Sequence, residues 1–161
     1  MQSLHRIPEQ EYEPRLQFLV FQLGVQNFAL EIHRVKEILR NADITPLPGT
    51  PSSIAGAIEL RSKIIPIFDL RKRLGIAATS EPQNCRILIV TAARRIWGLI
   101  VDAVHRVVPV SPEDIQPAVS AGGNYVLAVL KVGSELLVIP DLDAIITSRE
   151  SFTIGQLLPG N

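Results

Sequence analysis

The chain has 161 residues, 47% of them hydrophobic, with sixteen basic side chains balanced by sixteen acidic ones. That apolar content is enough to bury a core, as one domain or as two small lobes. Zero net charge excludes a global field that would gather nucleic acid or an anionic membrane, so partners are expected to be recognised by shape. The longest unbroken apolar runs fall short of the ~20 residues a spanning helix needs. The polar start MQSLHRIPEQEYEPR lacks a signal-peptide core. A cytoplasmic protein without direct membrane insertion is expected. The single cysteine, Cys85, excludes an internal disulfide framework and reads as a small buried hydrophobe at a strand start.

Residues 1–15 are polar, contain Pro8 and Pro14, and are predicted to form a flexible arm. Leu16 to Leu23 and Asn27 to Ile32 flank Gly24-Val25-Gln26 and read as a β-hairpin. Val35, Ile38 and Leu39 then have helical spacing, which predicts a short helix or turn within His33 to Leu39. Ile44 to Ser53 holds three prolines and a glycine, a stiff extended connection.

Gly56 to Gly75, GAIELRSKIIPIFDLRKRLG, reads as strand, tight turn, strand and short helix, with Asp69 as N-cap and Gly75 at the helix end. Pro66 lies inside the second strand and cannot donate a ladder hydrogen bond, so that strand is expected at a sheet edge or at a bulge. Ile76 to Asn84 is a small, polar loop or lobe junction.

Beyond it the first half recurs. Leu88 to Val108 falls on Leu19 to Leu39 without a gap, 69 residues on, so that Phe28 meets Trp97 and Val35 meets Val104. Leu136 to Ile146 falls on Ile64 to Leu74, 72 residues on, and Asp69 meets Asp141. Duplication, or at least two similar β lobes, explains both offsets, and a pair of small barrels is the simplest architecture. Between the repeated blocks, Ser111-Pro112-Glu113-Asp114 forms a single helical turn and Ala118 to Asn124 a flexible loop. A last hairpin turns at Gly133-Ser134, and Ser148 to Asn161 is a flexible polar tail that only Phe152, Ile154, Leu157 and Leu158 could dock.

Tests for chemistry return little. His5, His33 and His105 have no metal-ligand spacing, and no nucleophile elbow, phosphate loop or dinucleotide turn is present in the sequence. No metal, cofactor or catalytic residue is expected. Asp69 and Asp141 read as helix caps. Arg71-Lys72-Arg73 and Arg94-Arg95 lack interleaved aromatics and read as solvated faces, and Trp97 as core. Glu37 and Arg61 are charges among apolar neighbours. They either meet, in a bidentate pair that fixes the short helix against the strand turn, or stand as independent surface charges.

The ordered blocks LVFQLGVQNFALEIHRVKEIL, ITPLPGTPSSIAGAIELR, IIPIFDLRKRLG and WGLIVDAVHRVVPVSPEDIQP, followed by NYVLAVLKVGSELLVIPDLDAII, resemble the CheW family of bacterial chemotaxis coupling proteins over Leu16 to Ile146. The resemblance implies a mainly β fold of two SH3-like five-stranded β-barrels sharing a hydrophobic seam. It places one CheW-like domain over residues 16–147, with a subdomain boundary near 76–84 and strand crossover between the subdomains allowed. It implies a non-enzymatic adaptor, associated with membrane receptor arrays through its partners. Those partners are the regulatory domain of a CheA-type histidine kinase and the cytoplasmic tip of a chemoreceptor.

By matching motifs, Val35 and Ile38 fall where the family offers apolar surface to the receptor helix between the barrels, although both could equally fill the seam. Glu37 and Arg61 match a charged pair beside that groove. Ile54 and Gly56 match the family segment leading into the central strand, where a bulky or charged replacement is expected to disturb barrel contacts, and they are candidates for partner binding. Two departures stand out: Ser62 occupies a turn position where the family commonly has glycine, and Ala128 does so in the late strand. The same adaptor role in a pilus or other chemosensory pathway, or an enzyme with a site in the seam, are the alternatives.

Overall fold

The computed structural model describes residues 16–77, 81–118 and 125–158. The expected arm over 1–15, the centre of the 76–84 loop, most of the 118–124 loop and the last residues of the tail lie outside the described residues. The first repeat supplies β1 (Leu16–Leu23), β2 (Gln26–Glu31), β3 (Val35–Leu39), β4 (Ile54–Leu60), β5 (Lys63–Phe68) and helix α1 (Leu70–Leu74). The second supplies β6 (Arg86–Ala92), β7 (Arg95–Val101), β8 (Ala103–Val110), the short β9 (Ile115–Pro117), β10 (Val126–Val132), β11 (Glu135–Pro140) and helix α2 (Leu142–Ile145). A last helix, α3, spans Ser148–Leu157.

These strands make two sheets, in the orders β8-β1-β2-β11-β10-β9 and β3-β6-β7-β5-β4. Under the repeat, β1, β2 and β3 correspond to β6, β7 and β8, while β5 and α1 correspond to β11 and α2. Apart from the three-residue β9, the two sheets then have the same order. Each barrel nevertheless draws strands from both repeats: β1 and β2 pair with β8 and β11, and β3 and β5 pair with β6 and β7. Residues 76–84 separate the repeats in sequence, while both sheets take strands from either side of them.

Strand alternation sorts the apolar side chains into three clusters. Phe18, Val20 and Ala29 point into the first barrel with Leu130, Leu137 and Ile139. Ile58, Ile65, Ile67, Ile87 and Ile89 fill the second. The opposite faces of the same strands, Leu19, Phe21, Phe28 and Leu30 from one sheet and Leu88, Val90, Trp97 and Leu99 from the other, meet in the shared seam. There Phe21 stacks on Phe28 and Trp97 meets Phe68 edge to face, at centroid distances of 5.7 and 6.0 Å. The residues that the repeat equates, Leu19 with Leu88 and Phe28 with Trp97, face this common seam.

The caps form as the sequence predicts. Asp69 accepts from the Arg71 amide and Asp141 from the Ala144 amide, and Gly75 ends α1 with φ 70°. Arg61 and Ser62 form the β4–β5 turn with φ of 49° and 66°, so serine itself occupies the left-handed region.

Four expectations are corrected. The stretch His33 to Leu39 is not a helix: Ile32–Arg34 make one 3-10 turn, and the rest is β3, paired with β6 of the other repeat. Of the edge or bulge expected at Pro66, the edge is wrong, since β5 is internal, while the β4–β5 ladder does contain a bulge, carried by β4 between Ile54 and Gly56. Pro66 is tolerated because Ala57 opposite it exchanges its hydrogen bonds with Thr45, and the ladder to β7 starts only at Ile67. Arg71 and Arg73 do not form a solvated face, since Arg71 pairs with Asp69 and Asp102, and Arg73 with Glu150. The expected tail is the helix α3 over most of its length, started by a capping box of Thr147 and Glu150 and docked by the fully buried Ile154.

Candidate functional site

β3 and β4 are the two edges of the second sheet. Two devices draw them together. Thr45 forms an isolated antiparallel bridge with Ala57 of β4, and Glu37 on β3 receives both guanidinium arms of Arg61, at 2.6 and 2.9 Å. This bidentate pair connects β3 to the β4–β5 turn. Its Glu37 side chain is 28% exposed and its Arg61 side chain 71%. Hydrogen bonding to Arg61 holds the Glu37 carboxyl below its ordinary range, and Glu37 raises the Arg61 guanidinium in return.

The sequence grouped Val35 with Ile38 by helical spacing, and the strand keeps them together by another route. Val35 lies opposite Val90 and Ile38 opposite Leu88, because the register slips between Val35 and Glu37. Val90 and Leu88 both face the seam, whereas Ile89 and Ile87, opposite Glu37 and Leu39, face the barrel interior. The bulge at Lys36 therefore returns Val35 and Ile38 to one face. Val35 packs half-buried against the seam cluster, and Ile38 extends that face into solvent, 43% exposed.

Ile54 and Gly56 lie elsewhere. Ile54 is buried in the seam cluster, and Gly56 is buried at a second bulge, with φ 150° and the Thr45 carbonyl against it. Neither presents a side chain at the surface.

The sequence reading missed an ion pair beside this face. Arg34, next to Val35, reaches Asp143 of α2 at 3.0 Å, and Asp143 also accepts from the Ala93 amide at 2.8 Å. Arg34 and then the amide hold the Asp143 carboxyl below its usual value. No local pattern marks the pair, because its members lie 109 residues apart. Arg34, Leu30, Leu127, Ile139 and Leu142 border a narrow cleft between β2 and β11.

Cys85 is half-buried, its thiol 3.9 Å from an Asp102 carboxylate oxygen, and burial followed by that negative charge pushes the thiol up. Among the described residues no group of three or more His, Cys, Asp or Glu could hold a metal ion. No helix among them is long and apolar enough to cross a membrane.

Two SH3-like barrels joined along a seam, with an edge strand that carries an apolar face and a charged pair, define a two-barrel β domain. A family model described as CheW-like domain matches residues 17–150, and the chain belongs to that family. It is 32% identical over 165 residues to the chemotaxis protein CheW of Treponema pallidum (strain Nichols), covering 96% of this chain and 97% of the relative. It is 33% identical over 139 residues to the chemotaxis protein CheW of Rhizobium meliloti (strain 1021), covering 83% and 89%. Among solved structures, the scaffolding protein TtCheW from Thermoanaerobacter tengcongensis superposes with a TM-score of 0.79 at 34% identity, covering 84% of this chain and 95% of that one.

Proposed function

We propose that this chain is a cytoplasmic, non-enzymatic chemosensory adaptor that couples chemoreceptor cytoplasmic tips to the regulatory domain of a CheA-type histidine kinase. The observation that carries the reading is the β3 face on which the exposed Ile38 continues the seam, while the Glu37–Arg61 pair anchors the same edge strand from its other face. Apolar residues on a rigid strand next to a groove suit a helix read through anchors spaced along one of its faces. Glu37 and Arg61 hold the edge strand in place and so set the groove's shape. Val35 and Ile38 contact the receptor helix. Ile54 and Gly56 influence partners only through the packing beneath them.

Signal passes by differential binding. A receptor state alters the kinase by as much as its contacts favour one arrangement of the adaptor over another. Weak contacts repeated across an array add through multivalency, which also holds the protein at the membrane without insertion.

The test is a titration of the purified protein against a CheA regulatory domain and a receptor tip from the same source, separately and together. Simultaneous binding of both is expected. Binding of neither at about 0.1 mM, a concentration at which even contacts near −5 kcal/mol register, overturns the reading. Arg61→Ala and Val35→Asp are expected to weaken the receptor arm and leave a folded domain.

A further inference from the structure

The two barrels are tied by ion pairs that the internal repeat makes equivalent. At one side Asp102, between β7 and β8, accepts from the Gly24 amide in the β1–β2 turn and from Arg71 of α1 at 2.7 Å. At the other side Asp143 of α2 accepts from the Ala93 amide in the β6–β7 turn and from Arg34, between β2 and β3, at 3.0 Å. Gly24 and Ala93 stand 69 apart, and Arg71 and Asp143 stand 72 apart, so turn matches turn and helix matches helix. The charges are inverted. Where α1 supplies the base and the crossover the acid, α2 supplies the acid and the crossover the base.

The two clamps differ in burial. The Arg71 and Asp102 side chains are 14% and 2% exposed, and Asp69 adds a second carboxylate at 3.3 Å. The Arg34 and Asp143 side chains are 33% and 54% exposed. Both clamps are multiply bonded, Arg34 donating also to the Thr91 carbonyl at 3.4 Å, so burial is what separates them: a desolvated pair resists separation, whereas an exposed pair exchanges readily with water and is screened by salt. Arg73 of α1 also donates to the carbonyl of Ile145 in α2, and these two residues are themselves equivalent under the repeat, 72 positions apart.

We propose that the joint between the barrels opens on one side only, pivoting on Arg71–Asp102 and parting at Arg34–Asp143, and that Arg34 and Asp143 are positioning residues for the partner groove. The second half of this inference rests on the adaptor reading, and the first half does not. Val35, adjoining Arg34, is half-buried against the seam, and the cleft beside Arg34 is narrow enough to admit a water or two rather than a side chain. A helix that inserts an apolar anchor there needs the exposed clamp to part. The closed joint then lowers apparent affinity by the fraction of time it stays shut.

The test uses the full chain with Cys85→Ser and paired spin labels, measured by pulsed dipolar spectroscopy. One pair, at Lys36 and Leu127, straddles the exposed clamp. The other, at Val25 and Lys72, straddles the buried one. Arg34→Gln is expected to lengthen and broaden the first distance, leave the second unchanged, and raise affinity for a receptor-tip helix by up to about fivefold, the range available to an exposed pair. Arg34→Lys is expected to restore both readouts. Distances that do not move, or that move equally on both sides, overturn the one-sided joint. A lengthened first distance with unchanged affinity keeps the joint and overturns its role at the groove. Absence of any receptor binding by the parent chain defeats the adaptor reading instead, and the distances alone then decide the joint.

Discussion

Arg73 donates through Nη1 to the main-chain oxygen of Ile145 at 2.5 Å, and the two residues occupy each other's place in the internal repeat, 72 positions apart. The same guanidinium pairs with Glu150 of α3 and lies over the Phe68 ring, 5.5 Å from its centroid. Glu150 also accepts from Ser53 Oγ and from the Thr147 amide, so one buried carboxylate holds α3, the entry to β4 and α1 together. Arg73→Ala leaves that carboxylate buried without its cation. The expected loss is about 3–5 kcal/mol in urea unfolding, the cost of breaking a buried pair from one side. Replacing Arg73 and Glu150 together by apolar residues of similar size removes the buried charge and should cost less, the remaining loss being the acceptor of Ser53 Oγ and the Thr147 amide. Equal losses from the single and double replacements would refute the pairing as the source.

The Glu37–Arg61 pair behaves differently, because it is open to solvent. Arg61→Ala should raise the Glu37 carboxyl toward its ordinary pKa, since hydrogen bonding to Arg61 is the main cause of its depression. A folded-state pKa below the unfolded one means that the pair's contribution is present above the unfolded pKa. That contribution fades as pH falls through the folded value. Side-chain NMR titration of Glu37 in both proteins reads this directly. An identical midpoint would mean that the two side chains do not pair in solution. The melting temperature is expected to change little.

Gly56 is required by geometry rather than by flexibility. Its φ of 150° is strained for any other residue, and an added Cβ would run into the Thr45 carbonyl oxygen and the Ile44 side chain. The Thr45–Ala57 bridge that links the stiff connection to β4 would have to open. Gly56→Ala should therefore destabilise by more than about 1 kcal/mol, the usual penalty for alanine at an incompatible φ. Thermal unfolding at matched pH tests this, and a stability equal to the parent's would show that the bulge relaxes freely.

Trp97 is fully buried in the seam, and its indole Nε1–H has no hydrogen-bond partner among the described residues. Such a donor costs about 1–3 kcal/mol. Trp97→Phe removes it while leaving a cavity that costs a similar amount. The two terms oppose each other, so a net change within about 1 kcal/mol is expected, smaller than for Trp97→Leu, which also loses the edge-to-face contact with Phe68. Chemical denaturation of the two variants separates the terms.

Much of this architecture was legible in local pattern. Alternating strands, the aspartate caps at Asp69 and Asp141, and the one-turn helix after Ser111 depend on neighbouring residues, and the repeat exposed the seam because Leu19, Phe28, Leu88 and Trp97 face it together. β3 was misread because a bulge imitates a helix: an extra residue between Val35 and Ile38 gives a strand the three-residue spacing of a helical face. Its partner, β6, lies about fifty residues away. α3 was misread because its hold depends on Arg73, far off in the chain, although Thr147 and Glu150 spell a capping box that could have marked its start. The Glu37–Arg61 pair was visible as two unusual residues, but the choice between pairing and independence needed the fold. The Arg34–Asp143 clamp had no sequence signal at all.

Strand sharing between the repeats also has a consequence for the protein's birth on the ribosome. The barrel built from β3 to β7 has every strand it needs once Val101 has emerged. The β1–β2 hairpin, made first, must wait for β8, β10 and β11, the last of which ends at Pro140. From Glu31 to Pro140, at about 5–20 residues per second, that delay lasts roughly 5–20 seconds. Throughout it Phe18, Val20 and Ala29 have no barrel to enter. The first hairpin of the fold to be made is thus the last to find its core, and it is the part that a chaperone would be expected to cover.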